Sequence, residues 1–177
     1  MRVTPIYIGL GSNLGNRLEL IRQAVRLLTD TFVVQAVSPL YETAPMYVVD
    51  QPPFLNGMLA AQTSMGPLEV LHTLKRIEAE VGRFPRERYG PREIDLDLIC
   101  YGCAVYRFED ASPGSNRSGP LTIPHPRLVE RRFVLKPLHD VAPDLELPGL
   151  GPVFELLVAT NGQAATVQQV SDAVFPL

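Results

Sequence analysis

Lysine is scarce in this chain: Lys75 and Lys136 stand against 14 arginines in 177 residues. Its cationic chemistry is therefore guanidinium chemistry, which grips oxyanions by a two-pronged fork that an ammonium cannot form. Cysteine is scarce too, with only Cys100 and Cys103. A thioredoxin-type pair opens a helix after a strand, whereas Cys100-Tyr101-Gly102-Cys103 closes a strand at a turn. Buried or half-buried thiols of a cytoplasmic protein are expected there, not redox or metal ligation. No run approaches the ~18 consecutive apolar residues of a membrane span. No basic segment followed by an apolar one opens the chain, so no signal peptide is read. A positive charge excess is also missing: the formal net charge is −3. That weighs against nucleic-acid binding, which needs a basic face.

What is present is an ordinary globular composition, 46% hydrophobic, in a length that suits one domain over residues 1–177 with a real core. Ile6 to Leu10 reads as a short strand, followed by a turn-rich loop. Asn16 is a fair helix N-cap with Glu19 three residues on, and Leu18, Ile21, Val25 and Leu28 share one helical face. Phe32 to Thr43 reads as a strand interrupted by Pro39, hence bulged or at an edge. Phe54 to Thr63 is a further strand. Gly66-Pro67 starts a helix whose apolar face is Leu68, Leu71, Leu74, Ile77 and Val81, with Gly82 as its stop. Another strand follows from Ile94. This order is β-α-β-β-α-β, the ferredoxin-like split arrangement: an α+β fold with an antiparallel sheet and helices on one face. Beyond it, Ala104 to Phe108 reads as a hairpin partner and residues 109–119 as a polar, flexible insertion. Leu121 to Ile123 is a short strand, and Leu128 to about Val141 is helical. The last thirty residues carry no readable motif.

The chemistry concentrates between Arg83 and Ile99. Arg83, Arg86, Arg88 and Arg92 occupy ten residues of a loop broken by Pro85, Gly90 and Pro91. An apolar strand carrying Asp95 and Asp97 follows at once. Residues i and i+2 of a strand share a face, so the two carboxylates project together, their Cα atoms roughly 6.5–7 Å apart. That separation suits a hard cation, and Mg²⁺ takes one or two protein carboxylates and fills its shell with water and phosphate oxygens. A solvated strand face would also tolerate Asp-Leu-Asp, but aspartate is depleted in strands and paired like charges are costly without a cation between them. An arginine loop beside a metal site resembles a lid closing over a nucleotide polyphosphate.

Five stretches in order resemble the 6-hydroxymethyl-7,8-dihydropterin pyrophosphokinase family of folate biosynthesis. They are Ile8-Gly9-Leu10-Gly11-Ser12-Asn13-Leu14-Gly15, Ser38-Pro39-Leu40-Tyr41-Glu42-Thr43-Ala44-Pro45, Gln51-Pro52-Pro53-Phe54-Leu55-Asn56, Tyr89-Gly90-Pro91-Arg92-Glu93-Ile94-Asp95-Leu96-Asp97-Leu98-Ile99, and Ile123-Pro124-His125-Pro126 with Arg131, Phe133 and Pro137-Leu138. The resemblance spans about residues 6 to 148 and implies the ferredoxin-like fold reached above. It implies transfer of diphosphate from ATP, as co-substrate, to the hydroxymethyl oxygen of the pterin, releasing AMP. Asp95 and Asp97 match the ligands of two Mg²⁺ ions, and with Arg83 and Arg92 they form the expected catalytic set. Leu71, Glu78, Arg83, Arg88, Arg92, His125 and Arg131 match ATP positions. Thr43, Ala44, Met46, Phe54, Asn56, Asp95 and Phe133 match the pterin pocket, with Phe54 and Phe133 as the stacking pair. Plain core packing is the commoner fate of such phenylalanines; Asn56 inside a strand is harder to dismiss, because a buried amide needs partners.

Three departures accompany the match: Tyr89 where the family commonly has Trp, Pro126 where a Tyr often follows the His, and a longer 109–119 stretch. His72 and His139 match no role. Two other readings compete: a two-metal nuclease or nucleotidyl transferase built on Asp95 and Asp97, and a non-catalytic ferredoxin-like binding module. The first lacks a further well-placed carboxylate and the second lacks a basic aromatic sheet face. Nothing in the sequence demands more than a monomer.

Overall fold

A computed structural model describes residues 3–46, 50–87, 90–108 and 121–171. Strand β1 (Thr4–Ser12) leads through a capped turn into α1 (Arg17–Thr31), where the Asn16 side chain accepts from the Glu19 N–H at 3.3 Å. The chain then makes β2 (Val33–Val37), β3 (Leu40–Thr43) and β4 (Phe54–Thr63). Helix α2 (Pro67–Val81) has proline in its first turn and ends at Gly82, whose φ of +106° only glycine adopts without strain. Strand β5 (Asp95–Tyr101) completes the expected β-α-β-β-α-β order.

The strands form one antiparallel sheet in the order β10-β3-β4-β1-β5, β10 being Val167–Ser171. Strands β2 and β3 lie end to end along one edge of β4, Val37 opposite Leu59 and Tyr41 opposite Asn56, with Ser38-Pro39 between them. The interruption expected at Pro39 is thus a break between two strands. On the other side of β4, β1 pairs along its whole length and β5 pairs with β1.

Alternation along these strands makes two unlike faces. Ile6, Ile8 and Leu10 of β1 and Leu96 and Leu98 of β5 point into the main core. There they meet Ile21, Val25 and Leu28 of α1 and Val70, Leu74, Ile77 and Val81 of α2. Each such side chain contributes about 1.5–3 kcal/mol by leaving water. The opposite face carries Met58, Ile99 and Cys100, packed under a second helical layer. That layer is α3 (Arg132–Val141) and α4 (Val153–Ala159). The two helices of the β-α-β-β-α-β core, α1 and α2, share one face as expected, and Leu135 and Leu138 of α3 cover part of the second face. The change in pattern within β5 has a local cause. A register shift opposite Tyr7/Ile8 bulges the strand, so Ile99 and Cys100 both enter the second cluster.

Strand β6 (Tyr106–Phe108) pairs with β7 (Leu121–Ile123) in a separate ribbon, so it is no partner of β5 as the sequence suggested. Strands β8 (Glu146–Leu147) and β9 (Gly151–Pro152) form a second small ribbon. Strand β10, within the last thirty residues, extends the main sheet beyond β3. No helix among the described residues is long and apolar enough to cross a membrane.

Candidate active site

The uncovered part of the second sheet face is the floor of a cleft of about 360 Å³. Strand register explains the floor. Gly11 stands opposite Asp95 on one side and Asn56 on the other, and Gly9 stands opposite Asp97 and Met58. Directly opposed residues of antiparallel strands share a face. A row of acid, glycine and amide or thioether therefore crosses the sheet twice, with bare backbone in the middle.

One wall is electrostatic. Arg83 leaves the end of α2, its N–H donating to the Glu78 carbonyl at 2.9 Å. Its Nη1 lies 2.7 Å from Asp95 Oδ1 and 2.6 Å from Glu78 Oε1, while Arg92 Nη1 donates to Asp95 Oδ2 at 2.8 Å. Burial alone would push the Asp95 carboxyl up, but the Arg92, Lys75 and Arg83 charges outweigh it and hold it below the usual range. Burial would likewise lower the Arg83 guanidinium, and Asp95 and Glu78 raise it instead. The Asp97 side chain makes no hydrogen bond or ion pair among the described residues, and it lines the cleft. Behind Asp95 lies Glu78, only 3% exposed. It accepts from the Leu96 N–H at 2.7 Å and from Lys75 Nζ at 2.7 Å, and Lys75 also donates to the Leu96 carbonyl at 3.0 Å. β5 is an edge strand, and these two side chains satisfy its backbone between the two aspartates. Burial pushes the Glu78 carboxyl up, opposed by Lys75 and Arg83.

The other wall comes from β3, β4 and the start of α3. Asn56, 8% exposed, donates its Nδ2 to Thr43 Oγ1 at 2.7 Å. Phe54, Ala44 and Met46 lie at the mouth, with Phe133 facing from α3. The Arg131 guanidinium sits 5.6 Å from the centre of the Phe133 ring. His125 follows the cis Ile123–Pro124 peptide, and its N–H donates to the Ile99 carbonyl at 3.0 Å. Burial lowers the His125 pKa, with the Asp97 charge opposing. Its Nδ1 accepts from the Arg127 N–H at 3.3 Å, which leaves Nε2 as the donor of the neutral ring.

Twelve of the residues read from the sequence thus meet around one cleft: Thr43, Ala44, Met46, Phe54, Asn56, Arg83, Arg92, Asp95, Asp97, His125, Arg131 and Phe133. Leu71 and Glu78 do not line it; Leu71 is half-buried on α2 and Glu78 sits beneath the floor. Arg86 pairs with Glu93 at 2.5 Å, away from the aspartates. Arg88, Tyr89 and the 109–119 stretch lie outside the described residues. His72 is exposed, and His139 tilts against Phe154 with ring centres 6.0 Å apart. Gly9, Gly11, Gln51 and Lys75 line the cleft without having been singled out. The glycines left no chemical signal, but their alternation with Ile8 and Leu10 did mark them as facing away from the core.

Two carboxylates and two guanidinium groups thus face a buried amide and two aromatic rings across bare glycine backbone. A family model described as 7,8-dihydro-6-hydroxymethylpterin-pyrophosphokinase (HPPK) matches residues 7–143. The chain is similar to the 2-amino-4-hydroxy-6-hydroxymethyldihydropteridine pyrophosphokinase of Pseudomonas aeruginosa, 41% identical over 160 residues that cover 89% of this chain and 92% of that one. It is similar to the protein of the same name from Bacillus subtilis, 40% identical over 142 residues, 79% of either chain. It also matches the mitochondrial folate synthesis bifunctional protein of Pisum sativum at 46% over 137 residues, 77% of this chain. It spans about a quarter or less of the length of that relative and of the folate synthesis proteins it matches in Pneumocystis carinii, Schizosaccharomyces pombe and Arabidopsis thaliana. The Plasmodium falciparum HPPK-DHPS structure with pteroate superposes with a TM-score of 0.74 at 15% identity, covering 92% of this chain and 44% of that one, a likeness of fold. The chain belongs to the HPPK family.

Proposed function

We propose that the protein transfers the β,γ-diphosphate of ATP to the hydroxymethyl oxygen of 6-hydroxymethyl-7,8-dihydropterin, releasing AMP and the pterin diphosphate for folate biosynthesis. The observation that carries this reading is the single cleft in which Asp95, Asp97, Arg83 and Arg92 face Asn56, Phe54 and Phe133 across bare glycine backbone. Such a transfer asks a protein for positioning and charge neutralisation more than for covalent chemistry.

The donor set fits magnesium. Asp95 and Asp97 offer hard carboxylate oxygens from one face, and among the described residues no third acid, histidine or cysteine joins them in a cluster. That is the usual protein share for an ion completed by water and phosphate. Both Asp95 oxygens carry arginine hydrogen bonds, yet a carboxylate has about four acceptor sites, so ligation stays open. Asp95 and Asp97 would hold two ions, which supply phosphate charge neutralisation and polarisation of the β-phosphoryl group.

The chain's own groups do the rest. Arg83 and Arg92 present forks to phosphate oxygens, with Arg131 and the Nε2–H of neutral His125 as further donors; Leu71, Glu78 and Arg88 stand as weaker nucleotide assignments. Phe54 and Phe133 hold the flat ring by its faces. Asn56 and the backbone of Thr43, Ala44 and Met46 read its edge, and Asp95 touches the acceptor from the other side. Displacement of water by the ring and the arginines keeps the diphosphate from hydrolysis. The test is turnover with ATP, Mg²⁺ and the hydroxymethyl-dihydropterin. AMP as the nucleotide product is expected; ADP, or no turnover with a folded protein, contradicts the reading.

A further inference from the structure

Glycine inside a strand loosens it, because it packs nothing and has most freedom to lose. Some reason must therefore hold it there. At Gly57 the reason is packing: a Cβ would stand 2.9 Å from Leu40 Cδ2. At Gly11 neither packing nor backbone requires glycine. Its φ lies outside the left-handed region, and an added Cβ would meet Asn56 Oδ1 at 3.4 Å and Asp95 Cβ at 3.7 Å, ordinary contact distances. The cleft supplies a reason. Gly11 lines it at the centre strand of the row Asp95–Gly11–Asn56. Two strand spacings, about 9.5 Å, separate the backbone positions of Asp95 and Asn56. A ligand reaching from one to the other must cross directly over Gly11, close to backbone.

We propose that Gly11 is a specificity-determining position: the space its absent side chain leaves is filled by the hydroxymethyl arm of the acceptor, between a ring held at Asn56 and phosphates held at Asp95. This rests on the pterin diphosphokinase reading and adds to it which part of the acceptor lies over which residue. A methyl group at position 11 would collide with the arm, leaving the ring edge and the nucleotide in place.

The experiment compares the 177-residue chain with its Gly11→Ala variant. Affinities are measured by ligand fluorescence for 6-hydroxymethyl-7,8-dihydropterin and for the dihydropterin unsubstituted at carbon 6, and by calorimetry for a non-transferable ATP analogue with Mg²⁺. The variant is expected to melt at the same temperature or higher. It should lose about tenfold or more in affinity for the hydroxymethyl compound, as an intruding methyl costs in a closed pocket. The unsubstituted ring and the nucleotide should bind essentially unchanged. Equal losses for both pterins would place the ring over Gly11 and overturn the assignment. Unchanged binding of the hydroxymethyl compound would overturn it too, while the transfer reading stood. A variant that fails to fold would show that the fold requires this glycine and remove the premise. Wild-type protein that binds neither pterin would overturn both readings at once.

Discussion

The two faces of the one sheet are built from the same strands and do opposite work. On β5, Leu96 and Leu98 point into a sealed core under α1 and α2, and the residues between and before them, Asp95 and Asp97, point into a cleft. On β1, Ile8 and Leu10 face the core while Gly9 and Gly11 form the cleft floor. The core face is covered by α1 and α2 along β1 and β5. The other face is roofed by α3 and α4 over Met58, Ile99 and Cys100 and left open beyond them. A strand alternating with period two can therefore carry a complete hydrophobic core and a polar site in the same few residues, provided the second helical layer stops short. The core face supplies rigidity, and the open face uses it to hold charged groups still.

The comparison is broken most severely by substituting neighbours on β5. Asp97→Ala should cost on the order of 4 kcal/mol of transition-state stabilisation, about a thousandfold in turnover. Its melting temperature should hardly change, because the side chain supports no packing. Near-normal turnover would remove Asp97 from the metal site. Leu96→Ala, one residue away, should do the reverse. It should lose about 2–5 kcal/mol of stability in denaturant unfolding, while the surviving folded fraction turns over at a rate far closer to wild type. If both variants lost activity and stability together, the two faces would not be separable.

Arg92→Lys keeps the charge at the cleft and removes the fork. A charge-assisted hydrogen bond is worth about 1.5–3 kcal/mol, so steady-state kinetics should show a loss of roughly 10- to 150-fold. Unchanged kinetics would make Arg92 a structural partner of Asp95 only. The smallest effect concerns the roofed part of the second face. Burial pushes the Cys100 thiol up to about 12 from 9.0. A group whose pKa is higher folded than unfolded keeps its contribution below the unfolded value and loses it as pH rises toward the folded one. Stability should therefore fall between pH 9 and 12, by about 1 kcal/mol from pH 9 to pH 10. Chemical unfolding of wild type and Cys100→Ala at pH 8, 9 and 10 measures this; parallel profiles would mean the thiol is not held under α3. Exposed Cys103 should alkylate freely while Cys100 stays protected.

Much of the core architecture was legible because local signals agreed with the global fold. Phe54–Thr63 was bounded by prolines and a polar turn, α2 by Pro67 and Gly82, and Asp95 with Asp97 stood out against an apolar strand. The second layer was not legible as a layer. The stretch from Leu128 reads as helical, but only tertiary packing decides which face it covers. Likewise the bulge that turns both Ile99 and Cys100 inward needs its partner strand to be seen. Strand β6 followed β5 closely enough to suggest a hairpin, and its pairing with β7 depends on a contact across the intervening residues. Strand β10 is short, and half its meaning comes from the free edge of β3. At the site, charged and aromatic residues announced themselves, whereas Gly9 and Gly11 act by having no side chain. Lys75 carries no signal in the sequence beyond its charge, and only its bond to the Leu96 carbonyl places it at the sheet edge.

The central claim is that the open face holds a nucleotide and a pterin in line for transfer of two phosphoryl groups as one unit. ATP labelled at its β-phosphorus tests this most directly, with the products separated after turnover in Mg²⁺ and the hydroxymethyl-dihydropterin. The account predicts all of the label in the pterin product and none in the nucleotide product, AMP. Label remaining with the nucleotide, as ADP, would mean transfer of a single phosphoryl group and would contradict it.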